Sequence, residues 1–199
     1  MMIRSVADKK YFIEADARAR QVNTQSLKRN IFQAIKDRIW RFHLLLRNFE
    51  YYRNKRKNVF EKAYYHFLRY WFHSLSLRLG FSIPPNVCGP GLFLPHYGTI
   101  IINSNVKIGA NCLIHASVNI GSTGGSSVAP QIGDNVFIGP GAKIYGEIEI
   151  ASNCYIGANA VVNKTFAEEY SVLVGLPARA IKTDVLVWWE KNKLNLNPN

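Results

Sequence analysis

The sequence is short of acids, short of cysteine and without a long apolar run, and each shortage removes a class of protein. No stretch of about 18 apolar residues occurs, so no segment is expected to span a membrane. The opening residues, MMIRSVADKKYFIE, lack the apolar core of a secretory leader, and a cytoplasmic location is expected. Only three cysteines occur, Cys88, Cys112 and Cys154, and their spacing suits neither metal ligation nor a disulfide framework. No metal is therefore expected. Asp and Glu number 13 against 25 Lys and Arg, and the imbalance is local. Residues 1–80 hold 18 basic and 6 acidic side chains, whereas residues 81–199 hold 7 of each. Charge of this kind attracts nucleic acid, but no nucleic-acid motif accompanies it, and nucleic acid is not expected as a partner.

What the chain does have is a period of six. Ile102, Ile108, Ile114, Ile120, Ile132, Ile138, Ile144, Ile150, Ile156 and Val162 share one register, broken once. The residue after the anchor is often glycine: Gly109, Gly121, Gly133, Gly139 and Gly157. Four places after the anchor stands a small or aliphatic residue: Val106, Cys112, Val118, Val136, Ala142, Ile148, Cys154 or Ala160. This period fits neither an amphipathic helix nor an alternating strand. It fits a solenoid in which each hexad is one short strand and a corner, with Gly or Asn turning the chain. Three hexads, about 18 residues, close one triangular coil, and coils stack by parallel pairing about 4.8 Å apart. The single break, GSTGGSSVAPQ (121–131), puts Ser126 on an anchor position. A polar segment cannot line an aliphatic interior, so this loop must bulge outward, where function usually sits.

The segments IGANCLIHASVNIG, IGDNVFIGPGAKIYGEIEIASNCYIGANAVVNK and VGLPARAIK resemble the hexapeptide-repeat acyltransferases. Within them they are similar to the serine acetyltransferase branch, including its sugar and polysaccharide O-acetyltransferase relatives. The resemblance covers about residues 80–182 and implies a mainly β fold: a left-handed parallel β-helix preceded by an α-helical N-terminal domain. The left hand comes from the resemblance, because general crossover rules favour the right-handed form. Three regions follow: a basic helical domain (1–80), the β-helix (81–182), and a short C-terminal helix and tail (183–199).

In the front region Ser26 or Thr24 suits a helix cap, and Asn58 with Glu61 resembles a capping box. Phe60, Tyr64, Phe67, Trp71 and Leu75 recur at helical spacing until Gly80. RNKRKN (53–58) reads as a basic connector. Two readings compete for this aromatic, basic region. One is a helix lying on anionic lipid at the inner face of the membrane. The other, the default, is a cap packed on the solenoid or on a second subunit. FSIPPNVCGPGLFLP (81–95) marks the boundary, since paired prolines forbid continued helix. At the far end TDVLVWWEKNK suits a helix capped by Thr183.

Two of five histidines lie in the repeat region, His96 in LPHYGT and His115 in LIHASVN. A hydroxyl attacks a thioester slowly unless its proton is removed, and a neutral imidazole suits that task. The resemblance implies that His96 is the catalytic base. His115, one coil on, is a second catalytic candidate or a plain surface residue. The resemblance also implies acetyl-CoA as co-substrate, bound between subunits of a homotrimer. Its matching positions are Gly121, Ser122 and Thr123 near the thioester, then Gly139, Pro140, Gly141 and Ala142, then Gly157, Ala158 and Asn159. Lys164 and Arg179 are available for the nucleotide phosphates. Higher assembly through the N-terminal helices is also open.

The match has gaps. The serine enzymes carry Asp directly before the catalytic His, where Pro95 stands here, and a second Asp near Ser82. Their outward loop carries an Arg-His pair that grips the acceptor's carboxylate, where this chain has Val128 and Ala129. A neutral sugar hydroxyl, in a surface polysaccharide or its precursor, is therefore the expected acceptor, with serine as the alternative. Ser82, Asn86, a backbone carbonyl or a neighbouring subunit is left to orient His96. Two rivals stand outside this class: a metal-dependent β-helix hydratase of the carbonic anhydrase type, which needs three converging histidines, and a non-catalytic scaffold.

Overall fold

The computed structural model describes residues 2–22, 27–55, 58–182 and 188. Four helices precede the strands: α1 (Val6–Ala19), α2 (Leu27–Lys36), α3 (Arg38–Lys55) and α4 (Val59–Leu79). Ser5 and Asp8 form a capping box at α1, closing two backbone donors that the helix start leaves open. The Asn58 side chain accepts from the Glu61 N–H at the start of α4, and Gly80, at φ 77°, closes its end. The caps expected at Thr24, Ser26 and Thr183, and most of the C-terminal helix, lie outside the described residues. Among the described residues no helix is long and apolar enough to cross a membrane.

The hexads fold into three flat parallel sheets. The first holds β1 (Phe81–Ser82), β2 (Ile100–Ile102), β5 (Val118–Gly121), β8 (Lys143–Tyr145) and β11 (Val161–Val162). The second holds β4 (Leu113–Ile114), β7 (Phe137–Ile138), β10 (Tyr155–Ile156), β12 (Val172–Gly175) and β13 (Ala178–Lys182). The third holds β3 (Lys107–Ile108), β6 (Gln131–Ile132) and β9 (Glu149–Ile150). From β2 to β12 consecutive strands along the chain fall in different sheets, which is what a six-residue period with a corner in each hexad demands. VGLPARAIK ends the stack as an antiparallel hairpin, β12 against β13.

All ten anchors are buried, and the small residues four places on are buried with them, Val106, Val118, Val136, Ala142, Cys154 and Ala160 completely. The three cysteines are core filler, and burial pushes the Cys112 thiol up to about 12 and raises Cys88 and Cys154 as well. Ile102 pairs with Ile120, but Ile108 pairs with Ile132, so one coil gains six residues between β5 and β6. Positions 123–128 of that insertion are exposed, as a polar loop excluded from the interior must be.

The turns expected of Gly or Asn fall on asparagines and on Gly141, at φ 77°, while the glycine directly after the anchor answers a different need. The glycine after the anchor is needed for space: a Cβ on Gly139 would sit 2.8 Å from the backbone nitrogen of Ala158 in the next coil. The left-handed turn falls two residues later, on Asn111, Asn135 and Asn153, at φ 54°, 58° and 62°. These asparagines stack, Asn111 Nδ2 donating to Asn135 Oδ1 (3.0 Å) and Asn135 Nδ2 to Asn153 Oδ1 (2.8 Å).

Helices α3 and α4 share one apolar core with the coils. Phe42 and Phe49 of α3 stack on Phe72 of α4 at 5.4 and 5.1 Å, and Phe42 meets Phe81 of the first coil at 5.0 Å. The packed face of α4 is Tyr65, Leu68, Phe72, Leu75 and Leu79. Of the stripe read from the sequence, only Leu75 belongs to it; Phe60, Tyr64, Phe67 and Trp71 are exposed. The helix is apolar on most of its circumference, so helical spacing fits more than one face and only packing selects between them.

A buried ionic cluster joins the two parts. Arg47 and Asp16 are fully buried; Arg47 Nε donates to Asp16 Oδ2 (2.8 Å) and Nη2 to Oδ1 (3.1 Å). Arg47 also donates to the carbonyls of Cys88 (3.0 Å) and Gly89 (2.7 Å), while Asp16 Oδ1 accepts from the Gly91 and Leu92 N–H groups, each at 2.9 Å. Glu50 takes the remaining Arg47 nitrogen at 3.0 Å and the Asn86 N–H at 2.7 Å.

Candidate active site

His96 lies in the link between the first coil and β2, and that link is pinned from both sides. Arg20 donates to the Leu94 carbonyl and, through Nη2, to Asp37 at 2.8 Å. On the other side the Gly98 and Ile100 N–H groups donate to the carbonyls of Leu79 (2.9 Å) and Gly80 (3.0 Å), at the end of α4. The His96 ring itself is exposed to solvent. Its nearest ring neighbour is His115, centroid to centroid 6.2 Å, and His115 in turn lies 5.1 Å from Phe137. His115 stands just after the Ile114 anchor, one coil along from Gly139, to which its register leads. Half-buried against Phe137, it has its pKa lowered, first by burial and then by the His96 charge. At neutral pH it is therefore an uncharged imidazole and places no cation beside His96.

No described side chain hydrogen-bonds to His96. The candidates named from sequence are committed elsewhere or silent: the Asn86 amide exchanges 3.0 Å bonds with Asn54, and Ser82 lies in β1 with no bond to the ring. Position is set instead by the backbone on either side of His96. That support from Arg20 was invisible in the sequence, because Arg20 is one of 18 basic residues in the front region.

The other expected site residues fall on two corners. Gly139, Pro140 and Gly141 stack on Gly157, Ala158 and Asn159, with the Asn159 N–H donating to the Pro140 carbonyl at 2.9 Å. This is the corner of His115. Gly121, Ser122 and Thr123 lie at the other end of the flat face formed by β5, β8 and β11, where Gly121 pairs with Tyr145 and Lys164 follows β11. Within one chain the histidines and the outward loop thus face different corners. Ala142 is not available to a ligand: its side chain is fully buried in the coil interior, and its N–H and carbonyl are both used by neighbouring backbone. Gly139 and Gly157 owe their missing side chain to the adjacent coil, whose atoms already occupy that space, and Gly141 combines such crowding, from the Asn159 side chain, with a left-handed φ of 77°. Gly121 differs: nothing but the Asn119 amide oxygen, at 3.8 Å, approaches the place of a Cβ, so its outer side is open. Lys164 and Arg179 are exposed and have no carboxylate partner among the described residues.

The loop positions Val128 and Ala129 are apolar, one 40% exposed and the other buried, and neither can hold a carboxylate. No group of three metal-ligating side chains occurs among the described residues.

Comparison with known proteins follows this geometry. Residues 129–164 match the bacterial transferase hexapeptide family (six repeats). The serine acetyltransferase of Staphylococcus aureus (strain Mu50 / ATCC 700699) is 37% identical over 133 residues, 66% of this chain and 59% of that protein. That of Staphylococcus xylosus is 40% identical over 108 residues, 53% of this chain and 50% of its own length. The chain thus spans less than two thirds of these curated relatives. Among solved structures, Neisseria gonorrhoeae serine acetyltransferase superposes with a TM-score of 0.70 over 98% of this chain and 73% of that one, at 24% identity. Its complex with serine gives 0.68 over 89% and 71%, at 26% identity. These relatives overturn the expected sugar or polysaccharide acceptor, which rested on two loop residues alone. A missing cation at one position removes one way of holding a carboxylate, and says nothing about cations that folding brings in from elsewhere. The coils, the repeat and these relatives together make the chain similar to the hexapeptide-repeat acyltransferases with a left-handed β-helix and, within them, to the serine acetyltransferases.

Proposed function

We propose that the protein is an acetyl-CoA-dependent serine O-acetyltransferase with His96 as general base. The observation that carries the reading is a solvent-exposed His96, fixed from both sides by backbone contacts and backed by the neutral His115. Acetyl-CoA supplies an acetyl group already activated as a thioester. The open side of Gly121, and Lys164 and Arg179 with no carboxylate partner among the described residues, fit its pantetheine arm and phosphates.

His96 takes the proton of the acceptor hydroxyl as that oxygen bonds the thioester carbonyl carbon. When the carbon–sulfur bond breaks, the same proton passes from His96 to the departing sulfur. Charge is conserved and no further reactant is needed. Because the histidines and the loop after Gly121 face different corners, a complete site is formed where the corner of one copy meets the loop of the next. A homotrimer, with one such seam per pair, is the assembly that this geometry favours, and the supply of acetyl-CoA makes the cytoplasm its place of work.

The test is release of free thiol from acetyl-CoA in the presence of L-serine. Replacing His96 with Ala is expected to slow turnover by about 10²–10⁴-fold, the usual contribution of a general base, with the melting temperature unchanged. Full activity in that variant would show that His96 is not the base.

A further inference from the structure

The acids of the front region are all engaged within it. Asp8 caps α1, Glu14 faces Lys10 at 3.8 Å, and Glu61 lies 3.7 Å from Lys55. Asp16 and Glu50 hold Arg47. Asp37 spends one oxygen on Arg20 (2.8 Å) and the other on the Ile39 and Trp40 N–H groups (2.8 and 3.0 Å). A cation left over in this region can be neutralised only by something from outside it.

Three such cations converge. Lys36 at the end of α2, Arg38 at the start of α3 and Arg78 in the last turn of α4 line one cavity of about 600 Å³. All three are exposed, and none has a carboxylate partner among the described residues. Lys36 Nζ sits 4.3 Å from the Phe32 ring. Asp37 shares the cavity wall but, with both oxygens used, cannot balance three charges. Ile39 adds an apolar surface, and the remaining wall includes Tyr97, the chain neighbour of His96 and 73% exposed. Three cations brought together from three helices repel one another, so an arrangement of this kind is stabilised by an anionic ligand.

We propose that this cavity binds the carboxylate of the amino-acid acceptor, presenting its hydroxyl to His96 on the adjoining residue. The assignment rests on the serine O-acetyltransferase reading and deepens it. It supplies the cation that Val128 and Ala129 cannot. Guanidinium groups from Arg38 and Arg78 offer paired donors to a carboxylate, and Lys36 adds a point charge.

The discriminating pair of acceptors is L-serine and serinamide, which share the hydroxyl and differ in the carboxylate. In the full-length protein, kcat/KM for each is measured by thiol release for the wild type, Arg38→Gln, Arg78→Gln and the double variant. The wild type should prefer serine, and each substitution should cut the serine-to-serinamide ratio about tenfold, the worth of one charge-assisted bond. Both side chains are exposed and unpaired, so the variants should melt with the wild type; Lys36→Gln is a third, independent reporter. An unchanged ratio in the folded double variant overturns the assignment, as does a wild type that takes both acceptors equally. Both of those outcomes leave serine acetylation standing. A wild type that acetylates neither compound removes the serine reading itself, and this assignment with it.

Discussion

Replacing Asp16 with Ala tests whether the ionic cluster is what fastens the helices to the coils. The carboxylate is completely buried and accepts from five donors: two Arg47 nitrogens, His43 Nδ1 at 3.2 Å, and the Gly91 and Leu92 N–H groups. Its loss leaves Arg47, held firmly protonated by its two carboxylates, with Glu50 and two carbonyls for company. Breaking a buried pair from one side costs about 3–5 kcal/mol, and each orphaned buried N–H adds about 1–3 kcal/mol. Against a typical domain stability of about 5–15 kcal/mol this is a large fraction. Urea unfolding followed by tryptophan fluorescence measures it. The expected loss for Asp16→Ala is at least 3 kcal/mol by this reasoning, and Arg47→Met should cost a similar amount. The double variant, with no stranded charge, should be more stable than the sum of the two losses implies, by about 1–3 kcal/mol of coupling. Strict additivity, or a loss under about 1 kcal/mol for either single change, would refute the cluster as a fastening.

Three further outcomes follow from the coils and from His43. Gly139→Ala forces a Cβ to 2.8 Å from backbone and should cost about 1–3 kcal/mol, whereas Gly124→Ala meets nothing within 4 Å and should stay within about 0.5 kcal/mol; equal melting temperatures would contradict the close-approach argument. Asn135 has φ 58° and two amide bonds in the ladder, so Asn135→Gly, which keeps the dihedral, should lose less stability than Asn135→Ala. Burial lowers the pKa of His43 from 6.5 in spite of its Asp16 contact, so the unfolded chain binds the proton first. Stability should accordingly be full above pH 6.5 and fall as pH drops through the lower folded value, and His43→Gln should flatten that slope in urea midpoints measured from pH 7.5 to 5.

The interior of the β-helix was legible in the chain because a repeat writes the same local environment over and over. Ile138 is buried for the reason that Ile114 and Ile156 are, and one register names them all. The outward loop was legible as its negative, a polar interruption at Ser126. The glycines after the anchors were found but misread: their spacing suggested turns, while at Gly109, Gly133, Gly139 and Gly157 the space they vacate is filled by the next coil. A period along the chain reports what recurs, not what touches across coils.

The helical front was less legible. Its helicity and the Gly80 stop were plain, but an apolar helix with aromatics on several sides does not announce which side is covered, and the packed face proved to be that of Phe72. The cations of the front region were lost in the same way. Val128 and Ala129 are adjacent in sequence and invited a conclusion about charge, while Arg78 joins Lys36 and Arg38, some forty residues away in the chain, only in space.

By itself, then, the sequence determined the hexad register, the inward residues, the point where the coil opens and the two histidines able to carry protons. Only the tertiary structure decided the covered side of α4, the union of Asp16 with Arg47, the backbone support of His96 and the meeting of Arg78 with Lys36 and Arg38 around one cavity. Local periodicity is a property of neighbours along the chain and survives in one dimension. Convergence of residues far apart depends on how the elements pack, and no spacing records it.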